Sequence, residues 1–286
     1  ITRAINEVKL GFTNEPITVP DYLETEHITD AFNQLQSRTQ ALDASRDEFV
    51  SNVSHELKTP ITSMKVLADT LLAQEDAPPE MVREFLTDIS EEIDREDHII
   101  NDLLSLVKLD LTAAQLNIRT VNINDMTEIV LKRLRPIART HNIELTLESE
   151  RRIDAEVDEV KLSLAIMNLV ENGIKYNNDG GWVKTELDAD LRMFTVKISD
   201  SGIGIPEEAL PQVFERFYRV GKSRSREIGG TGLGLSVARQ VVLMHRGEID
   251  VQSTEGVGTV FTIRIPLLAQ KSTEPETVKE KRRWFS

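Results

Sequence analysis

The segment Ser54-His55-Glu56-Leu57-Lys58-Thr59-Pro60 places an imidazole beside a carboxylate, with a hydroxyl one helical turn later. A ring nitrogen of His55 can attack a phosphoryl group if a neighbouring base, here Glu56, holds or removes the proton on the other nitrogen. Thr59 follows His55 by four residues, so both side chains are expected on one helix face. An isolated His-Glu pair is usually an ordinary exposed pair, so this interpretation depends on the rest of the sequence.

Two amphipathic helices joined by a polar turn are predicted around this segment. The first has an apolar stripe of Phe49, Val53, Leu57, Met64, Leu67 and Leu71, and the second has one of Met81, Phe85, Ile89, Ile93, Ile100, Leu104 and Val107. The turn, residues 74–79, ends in prolines that can start a helix. Pro60 has no N–H to donate a hydrogen bond to the Glu56 carbonyl, and its ring crowds that carbonyl. The first helix is therefore expected to bend there. Because two such helices cannot bury a full core alone, we expect pairing with a second copy into a four-helix bundle.

A second informative segment, Asn168-Leu169-Val170-Glu171-Asn172-Gly173-Ile174-Lys175-Tyr176, ends a periodic apolar run that begins near Val160. Asn168 and Asn172 are four residues apart, so both amides are expected on one side of a helix. An amide oxygen is a hard ligand that suits Mg²⁺, which takes its other oxygens from water and substrate phosphates. Taken alone, paired asparagines are more often a polar helix face.

A third segment, Asp200-Ser201-Gly202-Ile203-Gly204-Ile205, follows an alternating apolar pattern over residues 194–198 that predicts a half-buried strand. A carboxylate at the end of a strand can accept a hydrogen bond from an adenine amino group, and the glycines let the backbone approach the base. Asp-Ser-Gly is also an ordinary turn sequence.

The fourth segment is Gly229-Gly230-Thr231-Gly232-Leu233-Gly234-Leu235, which leads into a predicted helix over residues 236–245 with Gly247 as its C-cap. Glycines just before a helix expose unpaired N–H groups at its positive end, where phosphate binds. No Gly-Lys-Ser/Thr follows, so this is not a Walker loop, and no acidic residue stands at dinucleotide spacing.

Taken together and in this order, the four segments resemble the H, N, G1 and G2 boxes of bacterial sensor histidine kinases. Residues 214–219, Phe-Glu-Arg-Phe-Tyr-Arg, are similar to the F box, and residues 255–259, Glu-Gly-Val-Gly-Thr, resemble the closing Gly-Thr element. The resemblance covers about residues 47–266. It implies a dimerising helical hairpin followed by an α/β sandwich that binds ATP, a fold shared with gyrase-like ATPases and heat-shock chaperones.

At matching positions the resemblance implies a role for each residue of the first segment. His55 would be phosphorylated from ATP, with Glu56 as its base. Thr59 would orient a water that removes phosphate from the partner, a response-regulator receiver domain whose own Asp takes the phosphoryl group from His55. Direct binding to nucleic acid is not expected.

The resemblance also assigns the nucleotide site. Asn172 would hold Mg²⁺ with help from Asn168, and Lys175 and Tyr176 would reach the phosphates. Asp200 would read the adenine beside a wall shaped by Gly202 and Gly204. Arg219, at the start of the mobile lid (residues 219–229), would cover the γ-phosphate. The glycine-rich segment would form the lid hinge and a phosphate contact. These further residues are Gly202, Gly204, Arg219, Gly230, Thr231, Gly232, Leu233 and Gly234.

Composition fits a two-part signalling enzyme. Apolar residues make up 40% of the chain, enough for at least one sizeable core. The absence of cysteine excludes disulfides and thiolate chemistry. The 34 basic and 48 acidic residues give a net charge of −14, which argues against nonspecific nucleic-acid binding.

Four regions are predicted: 1–44 as a HAMP-like signal linker, 45–112 as the dimerisation and phosphotransfer hairpin, 116–268 as the ATP-binding domain, and 269–286 as a disordered charged tail. The linker would contain a short helix, an extended connector over residues 16–20 and a second helix around residues 31–35. The chain starts at Ile1 rather than Met and shows no apolar run of membrane-spanning length. In the family this linker follows a membrane helix, so the intact protein is expected at the cell membrane with these residues in the cytosol.

Two alternative functions stay open at this point. One is an ATP hydrolase or chaperone-like member of the same superfamily, which would leave His55, Glu56 and Thr59 without a role. The other is a non-catalytic dimeric scaffold, which would need a broken nucleotide site. Two departures from the family pattern, Gly173 in place of Ala and Asn177-Asn178 in place of Ser/Thr-Pro, are expected to affect the lid side of the site.

Overall fold

The computed structural model describes residues 23–74, 78–111, 116–221 and 230–269. The chain divides into two compact units, residues 1–85 and 86–286. Residues 1–22 of the predicted linker, the lid residues 222–229 and the tail after residue 269 lie outside the described residues, and predictions about them stay predictions. No helix within the described ranges is long and apolar enough to cross a membrane.

Two long helices precede the mixed domain: α1 (Leu23–Leu72) and α2 (Pro79–Leu111). The helix predicted around residues 31–35 is continuous with the one that carries His55, because α1 runs through both. Pro60 lies inside α1 without ending it and is buried, and the bend expected there stays a prediction. All six residues of the predicted stripe on α1 are half-buried, whereas Ile93, Ile100 and Leu104 of α2 are largely exposed.

Residues 116–269 form a mixed α/β domain, as predicted. Its elements in chain order are β1 (Arg119–Asn122), α3 (Ile123–Thr140), β2 (Glu144–Ser149), β3 (Asp154–Val157), α4 (Glu159–Lys175), β4 (Trp182–Ala189), β5 (Met193–Asp200), a 3₁₀ helix (Glu207–Gln212), α5 (Gly234–Met244), β6 (Glu248–Thr254) and β7 (Gly258–Pro266). The strand predicted over residues 194–198 is β5, whose ends differ from the prediction by at most two residues.

The main sheet has five strands in the order β2-β4-β5-β7-β6, and β1 and β3 form a separate antiparallel pair. Only β2 and β4 are parallel; the other neighbours in this sheet run antiparallel. Helices α3, α4 and α5 all contact strands of this sheet. The register pairs Val183 at the start of β4 with Asp200 at the end of β5, so the predicted adenine-reading residue lies at one end of the sheet.

The core lies between the sheet and these helices. Alternate residues of the central strands are buried: Val183, Thr185 and Leu187 in β4, Phe194, Val196 and Ile198 in β5, and Phe261, Ile263 and Ile265 in β7. The buried face of α4 supplies Leu162, Ile166 and Leu169. Burial of these large apolar side chains is the main stabilising contribution, and it fixes α4 over the middle of the sheet.

Helix α4 begins at a buried carboxylate. Asp158 is its N-cap and accepts hydrogen bonds from the Lys161 N–H (3.1 Å), the Lys161 ammonium (2.9 Å) and the Asn117 N–H (3.0 Å). Burial alone would raise the pKa of Asp158, but these donors outweigh it and lower the pKa below its usual value. The cap therefore stays ionised and stabilises the positive end of the helix.

Helix α5 ends differently from the sequence prediction. The residue in the left-handed conformation is Arg246 (φ 57°), not Gly247. The N–H of Gly247 donates to the Val242 carbonyl and that of Arg246 to the Leu243 carbonyl, which is a Schellman motif. Gly247 is required for another reason, because a Cβ there would overlap the Arg264 carbonyl oxygen of β7.

A single buried histidine joins the end of α5 to the start of α4. The main-chain N–H of Asp158 donates to Nε2 of His245 (3.0 Å), and Nδ1 lies 2.8 Å from the Val241 carbonyl. Both contacts are hydrogen bonds only if the ring is neutral, with its proton on Nδ1. Burial lowers the pKa of His245, helped by Lys161, although the Val241 carbonyl and the Asp158 carboxylate oppose the shift.

We expect acidification to destabilise this domain through His245. The unfolded state binds this proton near pH 6.5, whereas the folded state resists it. Stability is therefore fully present above about pH 6.5 and falls as pH drops below it, by at most about 1.4 kcal/mol per pH unit. Urea unfolding at pH 7.5 and pH 5.5 measures this loss.

The matched control is His245→Gln, whose side-chain oxygen can accept the same N–H without titrating. Wild type should lose more free energy of unfolding than this variant over the same pH interval. Equal losses in the two proteins would contradict the assignment.

A second prediction concerns Thr185 on β4. Its side chain is fully buried, and its hydroxyl has no hydrogen-bond partner among the described residues. A buried unpaired hydroxyl is destabilising. Thr185→Val, which keeps the shape, should raise the free energy of unfolding by about 1 kcal/mol.

Thr127 is the matched control for Thr185, because it is equally buried but its hydroxyl donates to the Ile123 carbonyl at 2.7 Å. Thr127→Val should lower stability by about 1 kcal/mol in the same denaturation experiment. If both valine variants are destabilised alike, the hydroxyl of Thr185 is paired in solution.

Candidate nucleotide site and phosphoacceptor helix

The predicted phosphoacceptor lies on the surface of α1. His55 is exposed, and its ring makes no hydrogen bond to the described residues. The hydroxyl of Thr59 donates to the main-chain carbonyl of His55 at 3.0 Å, which places it one turn along the same helix. The side chain of Glu56 lies outside the described part of the structure. An exposed imidazole with a free ring nitrogen can act as a nucleophile toward a reagent from solution.

The residues predicted to bind a nucleotide converge on one pocket, which is lined by the mixed domain and by the part of α2 between residues 91 and 99. Of the thirteen, eleven line it: Asn168, Asn172, Lys175, Tyr176, Asp200, Gly204, Arg219, Gly230, Thr231, Gly232 and Gly234. Gly202 and Leu233 do not line it. Leu233 is the fully buried residue of the glycine-rich segment, and Gly202 contacts Asp200 through its N–H. The structure thus brings together residues separated by up to 66 positions.

Helix α4 presents the two predicted metal-binding amides to this pocket. Asn168 and Asn172 are one turn apart and only half-buried, and neither amide bonds to any residue that the structure describes. An unengaged amide oxygen suits Mg²⁺, so these side chains fit the predicted ion. Gly234, the first residue of α5, would carry a Cβ only 3.7 Å from Asn168, so the two helices approach closely at this point.

The end of α4 brings a phenol to the glycine-rich segment. Burial raises the pKa of Tyr176, and the charge of Arg219 only partly offsets this, so its hydroxyl stays protonated and can donate to phosphate oxygens. A Cβ at Gly230 would approach that hydroxyl to 2.7 Å, so the phenol lies directly against the glycine-rich segment. Lys175 lines the same side of the pocket.

The glycine-rich segment is held against the F-box residues. The N–H of Phe217 donates to the Gly232 carbonyl at 3.0 Å, and Gly232 has a φ of 70° in direct contact with the Phe217 backbone. Leu233, the N-cap of α5, makes no side-chain capping bond. Because the first N–H groups of a helix need external partners, the start of α5 is suited to phosphate, as its sequence predicted.

A half-buried carboxylate, Asp200, forms another part of the pocket wall. Oδ1 of Asp200 accepts the N–H groups of Gly202 (2.9 Å) and Thr259 (3.2 Å). Burial raises the pKa of Asp200 above its usual value, and these two bonds only partly counteract it. Oδ2 has no partner among the described residues, so it is available to accept a hydrogen bond from a ligand.

Two glycines let the loop after β5 approach its neighbours. A Cβ at Gly202 would overlap the Tyr176 carbonyl oxygen, which itself accepts the Ile203 N–H. Gly204 has a φ of 69°, and a Cβ there would overlap the Thr254 carbonyl oxygen. The loop is therefore fixed between the end of α4 and the turn between β6 and β7.

Two residues of this wall were missed by the sequence analysis. Thr259 lines the pocket and bonds Asp200, and Ser253 bonds both Thr259 and the loop after β5. Thr259 belongs to the Gly-Thr element that was noted without a role. Ser253 stands between Gln252 and Thr254 at the end of β6, where the sequence gives no local signal of function.

The two departures from the family pattern lie near the end of β5, and the effect expected on the lid side of the site stays a prediction. A Cβ at Gly173 would meet Val183 at 3.2 Å and the Cβ of Asp200 at 3.4 Å. The Asn177 amide donates to the carbonyls of Gly173 (2.9 Å) and Trp182 (3.0 Å). Both departures therefore affect the packing around Asp200.

Two family descriptions match this chain. Residues 45–112 match the His Kinase A (phospho-acceptor) domain, and residues 157–269 match the histidine kinase-, DNA gyrase B- and HSP90-like ATPase family. Together they cover more than half of the chain. The second match identifies the domain that contains the pocket as an ATP-binding one.

Known relatives agree with both matches. The chain is 36% identical over 247 residues to the sensor-like histidine kinase SenX3 of Mycolicibacterium smegmatis, covering 86% of this chain and 63% of the relative. It is 34% identical over 229 residues to the sensor histidine kinase WalK of Bacillus subtilis, covering 79% of this chain and 38% of the relative. The chain thus spans less than two thirds of these relatives.

Solved structures support the fold. Histidine kinase ThkA, in complex with the response regulator protein TrrA, is 23% identical with a TM-score of 0.65 over 83% of this chain and 66% of that one. Acinetobacter baumannii histidine kinase AdeS is 22% identical with a TM-score of 0.58 over 74% of this chain and 98% of that one. The order of the two matched domains, with a surface histidine in the first and a nucleotide pocket in the second, shows that the chain belongs to the bacterial sensor histidine kinases.

Proposed function

We propose that this chain is the kinase portion of a two-component sensor, which phosphorylates His55 from ATP and passes the phosphoryl group to an Asp of a response regulator. The observation that carries the proposal is that one chain holds both reacting parts: an exposed histidine in a phosphoacceptor domain and a pocket in an ATP-binding domain. An ATP hydrolase alone would leave the first of these without a function.

The chemistry is an in-line displacement at the γ-phosphorus. A neutral ring nitrogen of His55 forms the N–P bond while the bond from the γ-phosphorus to the β,γ-bridging oxygen breaks, and ADP leaves with that oxygen. Glu56 takes the proton from the other ring nitrogen, which leaves a neutral phosphorylated ring. In this step the protein makes no other covalent change and mainly positions the reactants.

The pocket residues supply orientation and charge. Asn172, with Asn168 beside it, would hold Mg²⁺, which neutralises charge on the phosphate oxygens when bound. Lys175 and the N–H groups at the start of α5 would bind phosphate oxygens, and Arg219 would cover the γ-phosphate. Asp200 would accept a hydrogen bond from the adenine amino group.

The response-regulator partner is supported by a structural neighbour. Histidine kinase ThkA is seen with the response regulator TrrA, and an exposed His55 is open to such a domain. Thr59 would act in the reverse direction, orienting a water that attacks the phosphorylated regulator. Its hydroxyl already donates to the His55 carbonyl, so its lone pairs remain to accept a water proton.

We also propose that the chain works as a homodimer. Leu86, Ile93 and Ile100 are spaced by seven residues on α2 and are 55%, 54% and 42% exposed in one copy. Such spacing lines one face of a helix, and a second copy can cover it in a four-helix bundle. The location at a cell membrane stays a prediction that rests on the resemblance of residues 1–44 to a HAMP linker.

The autokinase is tested by incubating the purified chain with γ-³²P-ATP and Mg²⁺. Wild type should acquire an acid-labile, alkali-stable label, and His55→Gln should acquire none, because Gln has no nucleophilic nitrogen. A labelled His55→Gln protein would refute the nucleophile. Release of free phosphate by a wild type that never becomes labelled would favour an ATP hydrolase.

Thr59→Ala is the matched control for this experiment, because it changes the same helix face one turn away. It should be labelled like wild type but should dephosphorylate a cognate regulator at least about 100-fold more slowly, the lower end of the range for loss of a positioned proton acceptor. An unchanged dephosphorylation rate would remove Thr59 from the scheme.

The dimer is tested by Ile93→Glu, which places a charge on the spaced apolar face. The dimer dissociation constant should rise roughly 100-fold or more, because burying an unpaired carboxylate costs about 3 kcal/mol. Leu191→Glu, at a 99% exposed turn position between β4 and β5, should leave it unchanged. Sedimentation velocity measures both, and equal behaviour of the two variants would contradict this interface.

A further inference from the structure

Ser253 of β6 makes three hydrogen bonds that converge beside the adenine-reading wall. Its hydroxyl oxygen lies 2.8 Å from the Gly258 carbonyl, 2.8 Å from the Ile205 N–H nitrogen and 2.9 Å from the Thr259 hydroxyl. Thr259 is the register partner of Ser253 on β7, but all three contacts are made by the Ser253 side chain and not by the main-chain ladder. They connect the loop after β5 with the turn between β6 and β7.

The donor and acceptor roles in this cluster follow from chemistry. A serine hydroxyl has one proton to donate and two lone pairs to accept with. The Gly258 carbonyl can only accept and the Ile205 N–H can only donate, so the single proton of Ser253 goes to Gly258. Its remaining lone pair must then accept from the third contact, and the Thr259 hydroxyl is the donor.

This arrangement fixes what Thr259 can offer to a ligand. Its proton is already used by Ser253, so its oxygen has only lone pairs left. Thr259 lines the pocket, and its N–H bonds Oδ1 of Asp200, which places its main chain next to that carboxylate. The wall therefore presents two hydrogen-bond acceptors and no hydroxyl donor at this position.

We infer that Ser253 is a positioning residue for base selectivity, because it holds the Thr259 hydroxyl as an acceptor. The inference rests on the proposed function, since it concerns the base of the bound ATP. Adenine carries an amino donor at its exocyclic position, and guanine carries a carbonyl acceptor there. A wall made only of acceptors can bind the adenine amino group but repels the guanine carbonyl. The discrimination is strong because a guanine would leave polar groups of the wall unpaired.

Ser253 also locks the loop that carries this wall. It accepts from Ile205, while the N–H of Gly256 donates to the Ile203 carbonyl at 2.8 Å. The loop thus has two bonds to the β6–β7 turn, one on each side of Gly204. Loss of the Ser253 hydroxyl would remove the hydrogen bond from the Ile205 N–H. It would also leave the Thr259 hydroxyl proton without its acceptor.

The test measures equilibrium binding of ADP and GDP to the full chain by competition with a fluorescent ADP analogue. In Ser253→Ala the Thr259 hydroxyl can rotate and donate to a guanine carbonyl. The preference for ADP over GDP should fall by roughly 10-fold, the equivalent of one hydrogen bond. Ser253→Thr, which retains the hydroxyl, should keep the wild-type preference.

The ratio of the two affinities separates this role from a merely structural one. A variant that is partly unfolded or loosened binds both nucleotides less well by the same factor, so the ratio does not move. An unchanged ratio in Ser253→Ala would overturn the inference. Failure of wild type to prefer ADP would instead count against the proposed ATP-dependent function.

A double variant tests independently whether the freed Thr259 hydroxyl causes the loss of selectivity. Adding Thr259→Val to Ser253→Ala removes the donor that the first change released, so part of the preference for ADP should return. If the double variant is less selective than Ser253→Ala alone, the freed hydroxyl is not the cause, and the inference fails.

Discussion

The nucleotide site depends on a carboxylate that is half-buried at the end of a strand and still available to a ligand. Burial penalises the charge on Asp200, and the N–H groups of Gly202 and Thr259 offset part of that penalty at one oxygen. Both donors come from main chain, which requires three segments to meet at a single oxygen. The glycines at 202, 204 and 258 are present because a Cβ at each would overlap a neighbouring carbonyl.

Sequence periodicity and motif order predicted most of the fold and most of the pocket. Apolar spacing located α4, α5 and the central strands, since each buries one face against the same core. The four spaced motifs predicted a common site for residues such as Asn172, Asp200 and Gly232, and the structure brings them together. Their roles in binding stay predictions until nucleotide is tested.

Other features depend on contacts between distant residues and leave no local pattern. The residues next to Ser253 and Thr259 form no pattern that marks a site. Only the fold shows that Ser253 meets Ile205 and that Thr259 meets Asp200. His245 ends a helix as many residues could, and its bond to Asp158 spans 87 positions. Gly247 was predicted as a C-cap because glycine favours that place, yet close packing against β7 is what requires it.

The two halves of the proposed reaction need opposite environments. A nucleotide is selected by buried, fixed hydrogen-bonding groups, because an unpaired polar atom is costly only where water cannot replace the partner. The phosphoacceptor must instead meet two different reagents in turn, ATP and then a receiver domain, so its ring has to stay accessible. Asp200 and Thr259 meet the first requirement, and the exposed His55 on α1 meets the second. Separate domains allow one chain to satisfy both, because neither environment has to be compromised for the other.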